Sequence, residues 1–311
     1  MPIALHSGGV APDPTGPDGS PVRPVEVRGL SGMTWTGVDG STWDVLDWRS
    51  GVFLMKGLTG LMPEPYTPWT SKAGAHGQTR RGGRFEARSV LWPTHIYHDG
   101  TSVEFVDRYE AWWDSFSYDA PGVWEVAGPD GSKRRLRLVL EESGDSPEFD
   151  PTLTGWVSAM TKLVADVPFW EGDPISMQWG KAGVGAGFFE PAAGGVLRIS
   201  GGFTTAQAAI ANPGKVESWP VWTLRGPWTT ASLGVDGRLV RVPFAGTATD
   251  VLVVDTQAAT ATLNGVEVSH RLASWEWAPV PPGRSVPLDV TLEGDGNVSA
   301  SLTPLYYRAV G

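Results

Sequence analysis

Cysteine is absent from the 311-residue sequence, which excludes disulfides, thiolate metal sites and a cysteine nucleophile. Charged residues make up only 19%, and the net charge of −10 gives no cationic field that would attract a nucleic-acid backbone or an anionic membrane. No apolar run approaches the roughly 18 residues that a membrane-spanning helix requires. The first ten residues lack the pattern of a secretory signal, so we expect assembly in the cytoplasm, without nucleic-acid recognition or membrane insertion.

Motifs for catalysis are missing too: the sequence has no P-loop, HExxH, EF-hand loop or GxSxG element. His95 and His98 are close in sequence, but positions i and i+3 of an extended segment face opposite sides, which argues against a shared metal ion. One segment that reads as a surface turn holds an acidic cluster, namely Glu141, Glu142, Asp145 and Glu148. From the missing motifs and the surface position of these acids, we expect a protein that is not an enzyme and has no cofactor or metal. A glycosidase that uses Glu141 or Glu142 is the weakest alternative.

Glycine and proline are abundant, with 40 and 26 copies, and they separate short apolar segments in the manner of a mainly β protein. The prolines and glycines of residues 8–24 rule out a helix or a central strand, so 1–24 is expected to be an extended arm. Residues 25–61 suggest a β meander with a turn at Asp39-Gly40. Residues 71–83 are polar, and we predict a mobile exposed loop in which Arg80 and Arg81 contact a partner subunit.

A helix is predicted over residues 102–117, with a capping box formed by Thr101 and Glu104. Its adjacent tryptophans, Trp112 and Trp113, point about 100° apart, so burying both requires two packing surfaces. We therefore expect a tryptophan here to meet another subunit and take Trp112 as the candidate. After it, 123–126 and 136–140 read as a hairpin, whereas 153–167 fits a helix and a strand equally well.

The last third predicts an antiparallel β-sandwich, since short apolar strands recur with turn signals between them. Asn264-Gly265 indicates a type I′ hairpin, and 286–292 with 298–302 suggests a half-buried antiparallel pair. The glycine-rich stretch 180–187 resembles an interdomain linker, which divides the chain into domains 25–180 and 181–311.

Several segments of the sequence together resemble a known protein family. The run "NPGKVESWPVWTLRGP" at 212–227 looks like the signature that opens the C-terminal sandwich of siphophage distal tail proteins. It is followed by "VLVVDT" at 251–256, "LNGVEV" at 263–268 and "PPGRS" at 281–285, in the family's order. Upstream, "ADVPFW" at 165–170 is similar to the end of a family strand, which favours a strand for 153–167. Val167 and the pair Arg284-Ser285 depart from the family pattern.

The resemblance implies an N-terminal β-sandwich-like, ring-forming domain with one helix and a hairpin, and a galectin-like C-terminal sandwich. It also implies a structural, non-catalytic virion protein without cofactors. Such a protein forms a ring with copies of itself, usually six, at the tail tip. Expected partners are the tail tube protein, the tape measure and the hub or fibre proteins. We expect the arm and the 71–83 loop to lie at the ring contacts.

The alternative function is a carbohydrate- or host-receptor-binding module. The sequence contains 16 tryptophans, and exposed tryptophans often stack on sugars. In a strand, Trp275 and Trp277 would share one face and form a glycan platform. Both hypotheses remain open at the level of the sequence.

Overall fold

The computed structural model describes residues 30–62, 65–72, 76–144, 149–181, 189–190, 196–199 and 203–311, so the arm 1–24 lies outside the described residues. The chain is mainly β, as predicted. Two separate hydrophobic cores organise it into an N-terminal and a C-terminal body. None of the described helices is both long and apolar enough to cross a bilayer.

The N-terminal body is built on one large, largely antiparallel sheet with the strand order β2-β1-β7-β8-β9-β6-β3. Its elements in chain order are β1 (Gly32–Thr36), β2 (Thr42–Asp44), β3 (Val52–Leu54), β4 (Tyr66–Lys72), β5 (Gln78–Phe85), β6 (Arg88–Tyr97), α1 (Ser102–Asp114), β7 (Gly122–Ala127), β8 (Lys133–Glu142), α2 (Pro151–Thr154), β9 (Trp156–Ala165) and β10 (Trp170–Glu171). Hairpin β1–β2 confirms the turn predicted at Asp39-Gly40, and hairpin β7–β8 confirms the one predicted from 123–126 and 136–140. Strand β3 pairs with β6 rather than continuing a meander.

Two helical predictions are refined by the structure. The helix α1 begins where the capping box places it, but it ends at Asp114, three residues before the predicted Ser117. Ser115 ends it, because the Ser115 hydroxyl donates to the Trp112 carbonyl and accepts from Trp35 Nε1. The ambiguous segment 153–167 is mainly strand β9, which lies between β6 and β8, as the family resemblance favoured.

An aromatic cluster fills the N-terminal core. The Trp92 ring contacts those of Trp35 and Trp124 at centroid separations of 5.3 and 5.2 Å, both nearly perpendicular. Trp112 packs into the same cluster against Phe116 and is 0% exposed. The prediction that Trp112 meets another subunit is therefore wrong, since its own chain buries it completely.

The predicted loop 71–83 is also wrong in its conformation. Strands β4 and β5 form a two-stranded antiparallel hairpin, and most of their residues are exposed. The Phe85 ring anchors the base of the hairpin, at 5.0 Å from the Phe169 ring and 5.3 Å from the Tyr307 ring. These strands pack on no core, so their sequence is polar and lacks the alternation of apolar residues that marks a strand. For that reason the sequence indicated a loop.

The C-terminal body consists of two sheets, β12-β13-β11-β23-β15-β18-β19-β20 and β14-β22-β16-β17-β21. Its strands are β11 (Ile175–Lys181), β12 (Phe189–Glu190), β13 (Val196–Ile199), β14 (Phe203–Ala211), β15 (Val221–Arg225), β16 (Thr230–Val235), β17 (Arg238–Val242), β18 (Val251–Asp255), β19 (Thr260–Leu263), β20 (Val266–Glu267), β21 (Ser274–Trp275), β22 (Ser285–Glu293) and β23 (Asn297–Leu302). Buried side chains of both sheets share one core, which makes this body a sandwich. Asn264 and Gly265, with φ of 50° and 82°, form the predicted hairpin turn between β19 and β20.

The predicted pairing of 286–292 with 298–302 is wrong. Strand β22 pairs with β14 and β16 in one sheet, whereas β23 pairs with β11 and β15 in the other. The turn between them therefore carries the chain across the sandwich. Both strands alternate because each turns its apolar side chains toward the shared core.

The domain boundary predicted near residue 180 falls inside β11, which belongs to the C-terminal sheet, and Trp179 is part of that core. The stretch 182–188 lies outside the described residues. At the other end, β24 (Leu305–Tyr306) pairs with β10, so the last residues return to the N-terminal body. Arg88 and Arg134 bind this tail by donating to the carbonyls of Tyr307 and Arg308, both at 2.7 Å.

Candidate functional site

The hairpin β4–β5 presents a basic surface, which we call the hairpin surface and define as Trp69, Lys72, Arg80 and Arg81. All four side chains are exposed, and Trp69 is 55% accessible. A bulge between Trp69 and Thr70 places Trp69 opposite Gly82 and Thr70 opposite Arg80. Tryptophan and arginine are the residues most enriched in binding hot spots.

Arg80 and Arg81 have their charges available. Within the described part of the chain neither makes an ion pair, and Arg81 Nε only donates to the Ser71 hydroxyl at 3.0 Å. Nearby, Arg84 is engaged, since its Nε lies 2.6 Å from Glu86 Oε1 and this bond lowers the pKa of Glu86. Among the described residues, the sequence-predicted pair Arg80 and Arg81 therefore has no ionic partner, and neither has Lys72 beside it.

The outer side of α1 presents an acidic surface, which we call the helix surface and define as Glu104, Asp107, Glu110 and Asp114. These residues are exposed and recur every three or four positions, opposite the buried Phe105. Sequence reasoning missed this surface, although its helical spacing was readable. In the described residues, the carboxylates of Asp107, Glu110 and Asp114 make no ion pair.

Glu104 also caps the first turn of α1 together with Thr101. The Thr101 main-chain N–H donates to Glu104 Oε2 at 2.7 Å, and the Thr101 hydroxyl accepts from the Glu104 N–H at 3.3 Å. The bond from the Thr101 N–H lowers the pKa of Glu104. The ionised carboxylate therefore fixes the first turn of α1 and the position of the helix surface.

A separate aromatic groove of about 340 Å³ lies between α1 and the ends of β8 and β9. Rings line one side, and they come from Tyr109, Trp113, Phe116 and Tyr118. Leu140 lines it from β8. The sequence had suggested that Trp112 needs a second packing surface, but the half-buried Trp113 is the residue that borders this open space.

The proposed glycan platform is not formed. Trp275 is 56% exposed at the end of β21, whereas Trp277 lies beyond that strand and packs against the C-terminal core. The rule that i and i+2 share a face fails because the strand ends at Trp275. The two indoles therefore do not make a common exposed shelf.

His95 and His98 border one shallow cavity, together with Asp99 and Trp156. His95 Nδ1 lies 2.8 Å from the Ser158 hydroxyl, and burial lowers the pKa of His95. Among the described residues no group of three or more potential ligands converges on a metal position.

Of the predicted acidic cluster, the structure describes Glu141 and Glu142. Glu141 Oε1 accepts from Lys162 Nζ at 2.8 Å, which raises the pKa of Lys162, and both side chains are about 40% exposed. Asp145 and Glu148 lie outside the described residues. The Glu141 carboxylate thus serves as a surface ion pair in this structure.

The chain was compared with known protein families, sequences and structures, and only structures match it. No family model and no curated protein sequence matches the chain. The crystal structure of the Dit protein of phage SPP1 matches it with a TM-score of 0.59, at 14% sequence identity, over 88% of this chain and 98% of that one. The chain has the fold of a phage distal tail protein. A chain of the phage p2 baseplate in its activated, Sr-bound conformation has a TM-score of 0.51, at 10% identity, over 87% and 97% of the two chains. The distal tail fold thus extends through both bodies, which confirms the family resemblance as far as the fold.

Proposed function

We propose that this protein is a structural subunit of the tail tip of a long-tailed phage. In this role it assembles with copies of itself, six by resemblance to the family, into a ring between the tail tube and the baseplate or fibre hub. The observation that carries the proposal is the likeness to SPP1 Dit over nearly the whole of both chains. SPP1 Dit is itself described as a paradigm of the hub adsorption apparatus in phages that infect Gram-positive bacteria.

Two surfaces of the N-terminal body fit a ring contact. The hairpin surface is cationic and the helix surface is anionic, and in the described residues Arg80, Arg81, Asp107 and Glu110 have no ionic partner. Contact between two different surfaces of identical subunits is heterologous, and such contacts close into rings when the rotation allows it. We infer that the hairpin surface of one subunit binds the helix surface of the next, with Trp69 as the apolar anchor.

Charge reversal tests this contact. The double variant Arg80→Glu and Arg81→Glu should shift the protein from the ring to single subunits, because four units of charge change face the acidic helix. The matched control is Arg238→Glu with Arg241→Glu, which makes the same change at two exposed arginines of β17. Mass in solution, measured by light scattering at about 0.15 M salt, reports the outcome.

Compensation separates a specific contact from a general effect of charge. Adding Asp107→Lys and Glu110→Lys to the hairpin double variant should restore much of the ring, while the helix variant alone should dissociate it. If the hairpin variant keeps the ring mass, the hairpin–helix contact is wrong even if the protein is a ring. If neither the wild type nor any variant assembles at the highest attainable concentration, the ring itself is contradicted.

A further inference from the structure

The aromatic groove beside α1 has the character of a peptide-binding site. Tyr109 and Trp113 rings lie 6.1 Å apart at 71°, and the Trp113 and Phe116 rings lie 5.9 Å apart. Tyr118 is 61% exposed at its rim. Walls made of closely spaced aromatic rings are the feature by which proline-rich segments are recognised.

The arm of this same chain has the matching pattern. Its prolines include two pairs at a spacing of three, Pro14-Thr15-Gly16-Pro17 and Pro21-Val22-Arg23-Pro24. A polyproline II helix has about three residues per turn, so each pair presents two prolines on one side. Such a segment loses little conformational entropy when it binds, which favours docking in an aromatic groove.

We propose that the segment Pro14–Pro17 of the arm binds in the aromatic groove of its own chain. The choice between the two proline pairs follows from reach. The described chain starts at Leu30, next to Ser31, whose N–H donates to the Ala127 carbonyl at 3.0 Å. Ala127 lies opposite Lys133 at the start of β8, whereas Leu140 lines the groove near the end of that strand.

The groove is therefore about 23 Å from the start of the described chain, at roughly 3.3 Å per strand residue from 133 to 140. A polyproline II segment from 24 to 30 spans only about 19 Å, which is too short. The stretch from 17 to 30 spans about 40 Å and reaches with slack. A contact within one chain does not depend on the ring, and it replaces the expectation that the arm lies between subunits.

A fluorescein-labelled peptide of residues 9–26 tests this by fluorescence anisotropy with full-length proteins. In the wild type the tethered arm competes for the groove, so the peptide should bind weakly. In Pro14→Ala with Pro17→Ala the groove is vacated, and the peptide should bind about tenfold tighter. Pro21→Ala with Pro24→Ala, the matched control, should behave as the wild type does.

Replacing a groove residue locates the binding. Tyr118→Ala, added to the Pro14/Pro17 variant, should weaken peptide binding about tenfold, the effect of losing one aromatic contact. Trp275→Ala in the same background, at an exposed ring of the C-terminal body that does not line the groove, should leave binding unchanged. The proposal is overturned if the peptide shows no saturable binding to the Pro14/Pro17 variant. It is also overturned if the Pro21/Pro24 variant binds the peptide as tightly as the Pro14/Pro17 variant does, or if Tyr118→Ala does not weaken binding.

Discussion

Single buried residues connect distant parts of this chain, and Arg88 is the clearest case. Its side chain is 2% exposed, and it donates to the carbonyls of Pro168, Gly60 and Tyr307 at 2.8, 2.9 and 2.7 Å. The guanidinium can serve three acceptors at once because its donors form a planar fork. One side chain thus joins β6, the loop before β10 and the returning tail.

Arg88→Met is expected to lower the free energy of unfolding by about 3 kcal/mol or more, since it leaves two buried carbonyls and one partly buried carbonyl without this donor. Urea unfolding followed by fluorescence measures the change. Arg137→Met is the control, because Arg137 is 60% exposed and pairs only at the surface with Glu171, which predicts a loss of at most about 1 kcal/mol. Equal losses for the two variants would contradict the role given to Arg88.

Gly294 tests the crossing between the two sheets. Its φ is +133°, and a Cβ there would lie 2.7 Å from the Pro227 carbonyl oxygen. Gly131 also has a positive φ, +83°, but a Cβ would meet nothing within 4 Å. Gly131→Ala should cost about 1–2 kcal/mol, the strain of the backbone alone, and Gly294→Ala clearly more. Thermal unfolding distinguishes them, and similar melting temperatures would count against a tightly packed crossing.

At the scale of elements, the capping box of α1 predicts a dependence on pH. The Thr101 N–H lowers the pKa of Glu104, so the folded state favours the ionised carboxylate. The stabilisation is complete above the usual glutamate pKa and is lost as the pH falls through the lowered, folded-state value. Glu104→Ala should lower the melting temperature by about 2–4 °C at pH 7 and by much less near pH 3.

Glu276→Ala is the control, since Glu276 is an exposed glutamate that belongs neither to the capping box nor to the helix surface. It should change the melting temperature little at either pH. A loss for Glu104→Ala that is the same at pH 7 and near pH 3 would show that the charge of the carboxylate is not involved.

Local patterns predicted the elements well and their pairing less well. Asn264-Gly265 and the Thr101–Glu104 box were readable because their geometry depends on neighbours in sequence. The placement of β22 and β23 in different sheets could not be predicted in this way. Alternation shows which face of a strand is buried but does not show which strand pairs with it. The hairpin β4–β5 was not predicted because neither of its strands has a buried face, so the sequence shows no alternation of apolar residues there.

The candidate surfaces show the same division. Arg80 and Arg81 were singled out by charge in a polar segment, which does not require knowledge of the fold. Trp112 was misassigned because sequence reveals that adjacent tryptophans need two surfaces but not which surfaces the chain supplies. The core accommodates Trp112, and the groove borders Trp113.

At the scale of the whole molecule, the described fold combines a bulky aromatic core with exposed surfaces of opposite charge. The C-terminal tail returns to the N-terminal body through β24 and is bound there by Arg134. The proposed ring contact uses only the exposed hairpin and helix surfaces, so it leaves both hydrophobic cores unchanged.

The mass of the wild-type protein in solution, measured by multi-angle light scattering and paired with negative-stain images, tests the central claim most directly. The account predicts closed rings of about 200 kDa, six copies of the 33.2 kDa chain, that persist on dilution into the micromolar range. A single species with the mass of one chain at every concentration, and images without annular particles, would contradict it.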